Sequence, residues 1–298
     1  MRIRTAFVPL LVLAFISASA SAQSVYTVNE AAQFGTVNLS TGTFTPIGAG
    51  LPEGTGSLVT GPGGNLLTIG ETSGDLYSIN PVTGAVTDIG NTGLNGATPG
   101  TGANTLGELN GVVYAQDLNN TLYSINTSTG VATRIGSTGM PGDPGCGAFP
   151  NFCDGTLFGA DGNLYSTFDS FQVSPDGYTN PVTINPSLWQ IDPTTGAATF
   201  IASTDLHILS LTDDDGEVLG FEGFPSATNP LPNPLIEAIN FNVNDGSTSE
   251  IVSLGTDTGP MFGVAPDASA TPEPASLALL GTSLTAIAVR LRSMKLRR

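Results

Sequence analysis

Three observations predict an all-β fold. A hairpin pattern recurs five times along the chain, turn glycines punctuate it at a nearly regular interval, and a second hairpin precedes most of the copies. Two hairpins over roughly 40–50 residues make one four-stranded blade, so the pattern describes a β-propeller. Five copies give five blades.

The aligned segments are FGTVNLSTGTFTPIG (34–48), LYSINPVTGAVTDIG (76–90), LYSINTSTGVATRIG (122–136), LWQIDPTTGAATFIA (188–202) and the more divergent INFNVNDGSTSEIVSLG (239–255). Their shared glycines are Gly42, Gly84, Gly130, Gly196 and Gly246, spaced 42, 46, 66 and 50 residues apart. In the second copy, Leu76 and Ile79 lead into Asn80-Pro81-Val82-Thr83-Gly84, and a further strand follows over 85–89. Thr-Gly supplies the positive φ that closes such a turn.

The upstream hairpins are SLVTGPGGNLLTIG (57–70), GELNGVVYAQD (107–117), GTLFGADGNLYSTF (155–168) and ILSLTDDDGEVLGF (208–221). A blade cannot bury both of its faces alone, which is why the unit repeats. SVYTVNE (24–30) precedes the first copy without an innermost strand, while MFGVAPD (261–267) is left over at the end. The last strand is therefore expected to complete the first blade, closing the ring without an open edge. A sixth blade inside 136–188, where the spacing is longest, is the competing count.

Composition supports a folded, turn-rich chain. Of 298 residues, 38 are Gly and 21 Pro, with 40% hydrophobic; Gly plus Pro stays below the roughly 25–30% of low-complexity disorder. Acidic residues number 25 against 8 basic, for a net charge of −17. Such a chain repels phosphate backbones, which excludes nucleic acid as a partner. The basic residues cluster at the ends: between 23 and 271 only Arg134 is basic, and lysine is absent. That surface suits a solvated, extracellular protein.

Both ends read as addresses. Residues 1–22 combine Arg2 and Arg4, an apolar run over 6–16 and small residues up to Ala20-Ser21-Ala22. This is the pattern of a secretory signal peptide cut after Ala22, so that the mature chain begins at Gln23. The body is expected to span 23–269. Residues 270–298 contain Pro272-Glu273-Pro274, an apolar stretch over 276–289, and Arg290, Arg292, Lys295, Arg297 and Arg298. An apolar helix of that length spans only about 21 Å, a marginal membrane anchor. Its basic end is held in the cytoplasm, leaving the body outside.

The stretch TPEPASLALLGTSLTAIAVRLRS (271–293) resembles a PEP-CTERM sorting signal, with its Pro-Glu-Pro motif, transmembrane helix and basic tail. The resemblance implies export through the Sec machinery and a transient inner-membrane anchor. An exosortase-like membrane enzyme would then recognise Pro272, Glu273 and Pro274 and release or transfer the body to the cell surface or extracellular matrix. Bacteria with this system are Gram-negative, and exopolysaccharide is the further partner that the resemblance brings into view. The repeated turn also resembles that of secreted propellers, a likeness of fold only.

Candidate chemistry in the body is sparse. Cys146 and Cys153 are the only cysteines, and in an exported chain they read as a disulfide staple rather than a metal site. His207 is the sole histidine, so nucleophilic triads and Schiff-base chemistry lack parts. Asp213-Asp214-Asp215-Gly216-Glu217 offers oxygen ligands without the alternating spacing of a calcium loop and fits a turn. Tyr114, Tyr123, Tyr165, Phe171 and Trp189 could stack on sugars, but Tyr123 and Trp189 hold equivalent repeat positions, which blade packing explains. The reading is an exported, non-catalytic surface or matrix protein without cofactor or metal. The alternatives are a carbohydrate-binding module and a carboxylate-based glycan hydrolase or lyase.

Overall fold

The computed structural model describes residues 23–94, 105–117, 119–140, 151–174, 177–204, 208–223, 236–255 and 259–267, with backbone alone for 151–154, 169–174 and 177–185. These belong to the compact unit Ala22–Ser269, and the segments 1–21 and 270–298 lie outside the described residues. The expected leader and sorting segment therefore fall outside the described residues as well. Among the described residues no helix is long and apolar enough to cross a membrane.

The strands run in chain order. β1 (Ser24–Asn29), β2 (Phe34–Asn38) and β3 (Thr43–Pro46) belong to blade 1. Blade 2 holds β4 (Val59–Thr60), β5 (Leu66–Ile69), β6 (Asp75–Ile79) and β7 (Val86–Asn91). Blade 3 holds β8 (Thr105–Leu109), β9 (Val112–Gln116), β10 (Thr121–Ile125) and β11 (Ala132–Ser137). Blade 4 is built from β12 (Asn151–Ala160), β13 (Asn163–Ser174), β14 (Gly177–Ile191) and β15 (Ala198–Ser203). In blade 5 come β16 (Ile208–Asp214), β17 (Glu217–Glu222), β18 (Ile236–Phe241) and β19 (Thr248–Gly255), after which β20 (Met261–Pro266) returns to pair with β1.

Five four-stranded antiparallel sheets result, and their innermost strands β20, β4, β8, β12 and β16 touch in a closed ring. The last strand completes the first blade as the leftover MFGVAPD required. The sixth blade is overturned. The long spacing is taken up inside blade 4, where β13 and β14 have 12 and 15 residues and pair well beyond the length of the other blades. Lengthening an existing hairpin pairs the added strands with each other, whereas a new blade would need two further apolar faces.

The buried apolar residues form five clusters, one at each seam between neighbouring blades. At the seam of blades 2 and 3, Leu67 and Ile69 pack on Val113 and Ala115. Leu66, of opposite side-chain direction, joins Val28 and Phe34 of blade 1. Strands near the axis are thus buried on both faces and read as continuous apolar runs, while outer strands such as β7 hold only half-buried and exposed residues.

The repeated turn has one geometry throughout. Asn80 Oδ1 accepts the backbone N–H groups of Val82 and Thr83, both at 3.0 Å, and Gly84 N–H returns to Asn80 O at 2.8 Å. Asn38, Asn126, Asp192 and Asn242 open the other four turns in the same way. The closing glycine also meets the preceding blade: at Gly130, φ is 80° and a Cβ would overlap Gly90 O. The glycine is therefore required twice, for its backbone angle and for the close seam.

Candidate functional site

Strand direction alternates within a blade, so the connections between blades meet the turns between second and third strands at one end of the ring. Backbone bonds join them there: Leu51 N to Ala32 O at 2.8 Å, and Glu71 N to Gly54 O at 3.0 Å. Two carboxyl groupings occupy this end. Sequence reasoning nominated neither, because no local motif marks them.

The first ties blade 2 to the connection before it. Glu53 accepts from Thr72 N at 2.8 Å, Ser73 N at 3.0 Å, Ser73 Oγ at 2.5 Å and Tyr77 OH at 2.9 Å. Burial opposes its charge, but these bonds outweigh that and hold the carboxyl below 4.5. Burial, aided by the neighbouring Glu53 charge, pushes Glu71 up from 4.5. The bonds to Glu53 thus favour its charged form, while burial beside that charge disfavours the charged form of Glu71.

The second grouping lies in blade 5, where Glu222 on β17 pairs directly with Glu237 on β18. Burial, then the charge and hydrogen bond of Glu237 and the charge of Glu250, push Glu222 up to about 8. Its Oε2 is sealed from solvent without a hydrogen-bond partner. Two carboxyls bonded to each other leave no room for a sugar, since glycan hydrolases hold theirs roughly 5–9.5 Å apart. The pair does not have hydrolase geometry.

The axis is narrow. Ser57, Thr105, Thr156, Ser210 and Gly263 line it, one from each blade, with Leu58, Leu106, Leu157, Leu211 and Val264 beside them. The cavity there is about 10 Å³, room for about one water molecule. Ser57 Oγ is buried there without a partner.

The acidic run 213–217 is a turn, as expected: Asp215 and Gly216 have φ of 55° and 88°, and Gly216 N–H donates to Asp213 Oδ1 at 2.9 Å. Among the described residues no three His, Cys, Asp or Glu side chains are grouped to hold a metal. Tyr77, Tyr123 and Trp189 share one repeat position and anchor their polar tips alike, on Glu53, on Asp117 Oδ2 at 3.0 Å and on Ser187 Oγ at 2.9 Å. Tyr165 is buried against Phe158, ring centroids 5.6 Å apart. Blade packing accounts for these aromatics.

Other expected residues lie elsewhere. Gln23 is exposed and donates through Nε2 to Asp214 Oδ2 at 2.9 Å. Cys153 sits on β12, whereas Cys146, His207, Ala20, Ala22, Pro272, Glu273, Pro274 and the basic tail lie outside the described residues.

No protein-family model and no curated protein matches the sequence. Among solved structures the chain is similar to a protein of unknown function from Bacteroides thetaiotaomicron, at 15% identity and a TM-score of 0.50, covering 84% of this chain and 63% of that one. The likeness is one of fold. The chain spans only 63% of that protein's resolved length. It is also similar to a chain of a nidogen–laminin complex, at 11% identity and TM-score 0.43 over 82% of this chain and 97% of that one. A PQQ-bound aldose sugar dehydrogenase from Streptomyces coelicolor is similar at 14% identity and TM-score 0.40, over 74% and 86%. A shared fold by itself assigns no activity.

Proposed function

We propose that the protein is an exported propeller, sorted and processed by an exosortase-like membrane enzyme, that acts without catalysis at the cell surface or in an exopolysaccharide matrix. One observation carries the reading: the ring closes between the two expected processing sites. β1 begins at Ser24, just beyond Ala22, and β20 ends at Pro266, ahead of Pro272. Ser24 Oγ donates to Asp267 Oδ2 at 2.8 Å, so the two ends of the body are joined to each other. Removing both end segments cuts no strand of the ring. The acidic, lysine-free body is consistent with life in solvent outside the cell.

The test is the intact mass and location of the protein in its native host. A mass running from Gln23 to between Thr271 and Pro274, recovered outside the inner membrane, is expected. A mass still carrying Arg298 in the inner membrane overturns the processing step. Glu273→Ala should leave full-length protein in that membrane; unchanged processing of this variant rejects the sorting motif.

A further inference from the structure

Among the described residues every blade ends in an outer strand with no further strand paired beyond it, and an open edge invites pairing with another chain unless something blocks it. The repeat allows the five edges to be compared at one position, four residues after the turn glycine. Blade 1 has Pro46 there, blade 2 Asp88, blade 3 Arg134 and blade 5 Glu250, all exposed. A proline or a charge at that place is a guard against edge-to-edge association. Blade 4 has Phe200, which is 51% exposed. No charged residue occurs anywhere in 197–203.

Phe200 is held for contact rather than left loose. Its ring packs edge-on against Trp189, centroids 5.2 Å apart at 73°, and Trp189 is fixed by its bond to Ser187 Oγ. Ala198 N–H is taken up by Thr138 O of blade 3 at 2.8 Å. From Thr199 to Ser203 no other described strand covers the outer edge of β15.

We propose that β15 is a homodimer contact, in which two copies of this chain pair their β15 edges antiparallel across a two-fold axis and join two blades 4 into one continuous sheet. Charge selects the occupant. The body is strongly acidic with one basic residue, so a basic partner would be drawn to its surface at large and least to this neutral strip. Two acidic copies, by contrast, can approach only where neither carries charge, and a two-fold contact brings the same strip of each together. Backbone bonds would supply affinity and the facing Phe200 rings the apolar contact. A strand of 6 residues gives less than the roughly 1,200–2,000 Å² of stable complexes, so the dimer should be a weak, concentration-dependent one.

Sedimentation equilibrium of the protein, in the form its host accumulates, tests this from about 1 to 100 µM, the range in which weak self-association shows. The expected result is a shift from one chain to two across the range. Phe200→Lys and Thr199→Lys should each keep it monomeric, while Thr87→Lys, on the guarded edge of blade 2, leaves the dimer intact. Circular dichroism melting of each variant confirms folding. A wild type that stays monomeric at 100 µM, a dimer that both β15 variants retain, or assembly only with a different protein would each overturn the proposal.

Discussion

Glu222→Gln should stabilise the protein at alkaline pH and leave it unchanged in acid. The carboxyl is raised from 4.5 to about 8, first by burial and then by Glu237 and Glu250. Below about 4.5 the folded and unfolded chains both carry the proton, so ionisation contributes nothing. Between 4.5 and about 8 the unfolded chain releases the proton while the folded chain keeps it, and the folded state loses ground as pH rises. Above that window the whole penalty is present. The interval corresponds to at most about 5 kcal/mol at 1.36 kcal/mol per pH unit. Because the side chain is partly exposed, solvent screening reduces this to about 2 kcal/mol. Glutamine keeps the shape and a hydrogen bond to Glu237 without an ionisable proton. Urea unfolding of both proteins at pH 5 and pH 9 would measure it, with near-equal stability at the first and an advantage for the variant at the second. Parallel stabilities across that range, or a less stable variant at pH 9, would refute the reasoning.

Gly130→Ala should cost more than about 2 kcal/mol, since a Cβ there meets both an unfavourable φ and Gly90 O, whereas Gly111→Ala, at φ 81° with nothing near, should cost about 1; urea midpoints compare them, and equal losses would reject the seam role. Asn80→Ala removes the two bonds that its side chain accepts at 3.0 Å and should lower stability by about 1 kcal/mol; an unchanged melting temperature contradicts that. Ending the chain at Gly259 deletes β20, and such a protein should lose the cooperative unfolding transition, while a retained one would show that ring closure is dispensable. Non-reducing alkylation of the protein recovered from its host tests the disulfide expected from the sequence: neither Cys146 nor Cys153 should be labelled, and two labelled thiols would reject that expectation.

Much of the architecture was legible because the repeat is local. Asn80 to Gly84 encodes its own turn, and Gly42, Gly84, Gly130, Gly196 and Gly246 count the blades. The leftover strand at 261–267 signalled the closure that β20 makes with β1. The region from 136 to 188 was ambiguous because a long hairpin and an extra blade share the same alternating pattern, and only pairing partners tell them apart. The carboxyl groupings were not legible at all. Glu53 and Ser73 are 20 residues apart, and Glu222 and Glu237 are separated by a long connection.

The sequence by itself determined the repeat, the turn chemistry, the acidic surface and the closing strand, since each rests on neighbours in the chain or on composition. Tertiary structure alone decided which glutamates meet and how narrow the axis is. Those properties depend on the packing of separate blades, and a pattern within one segment carries no record of the segment it will face.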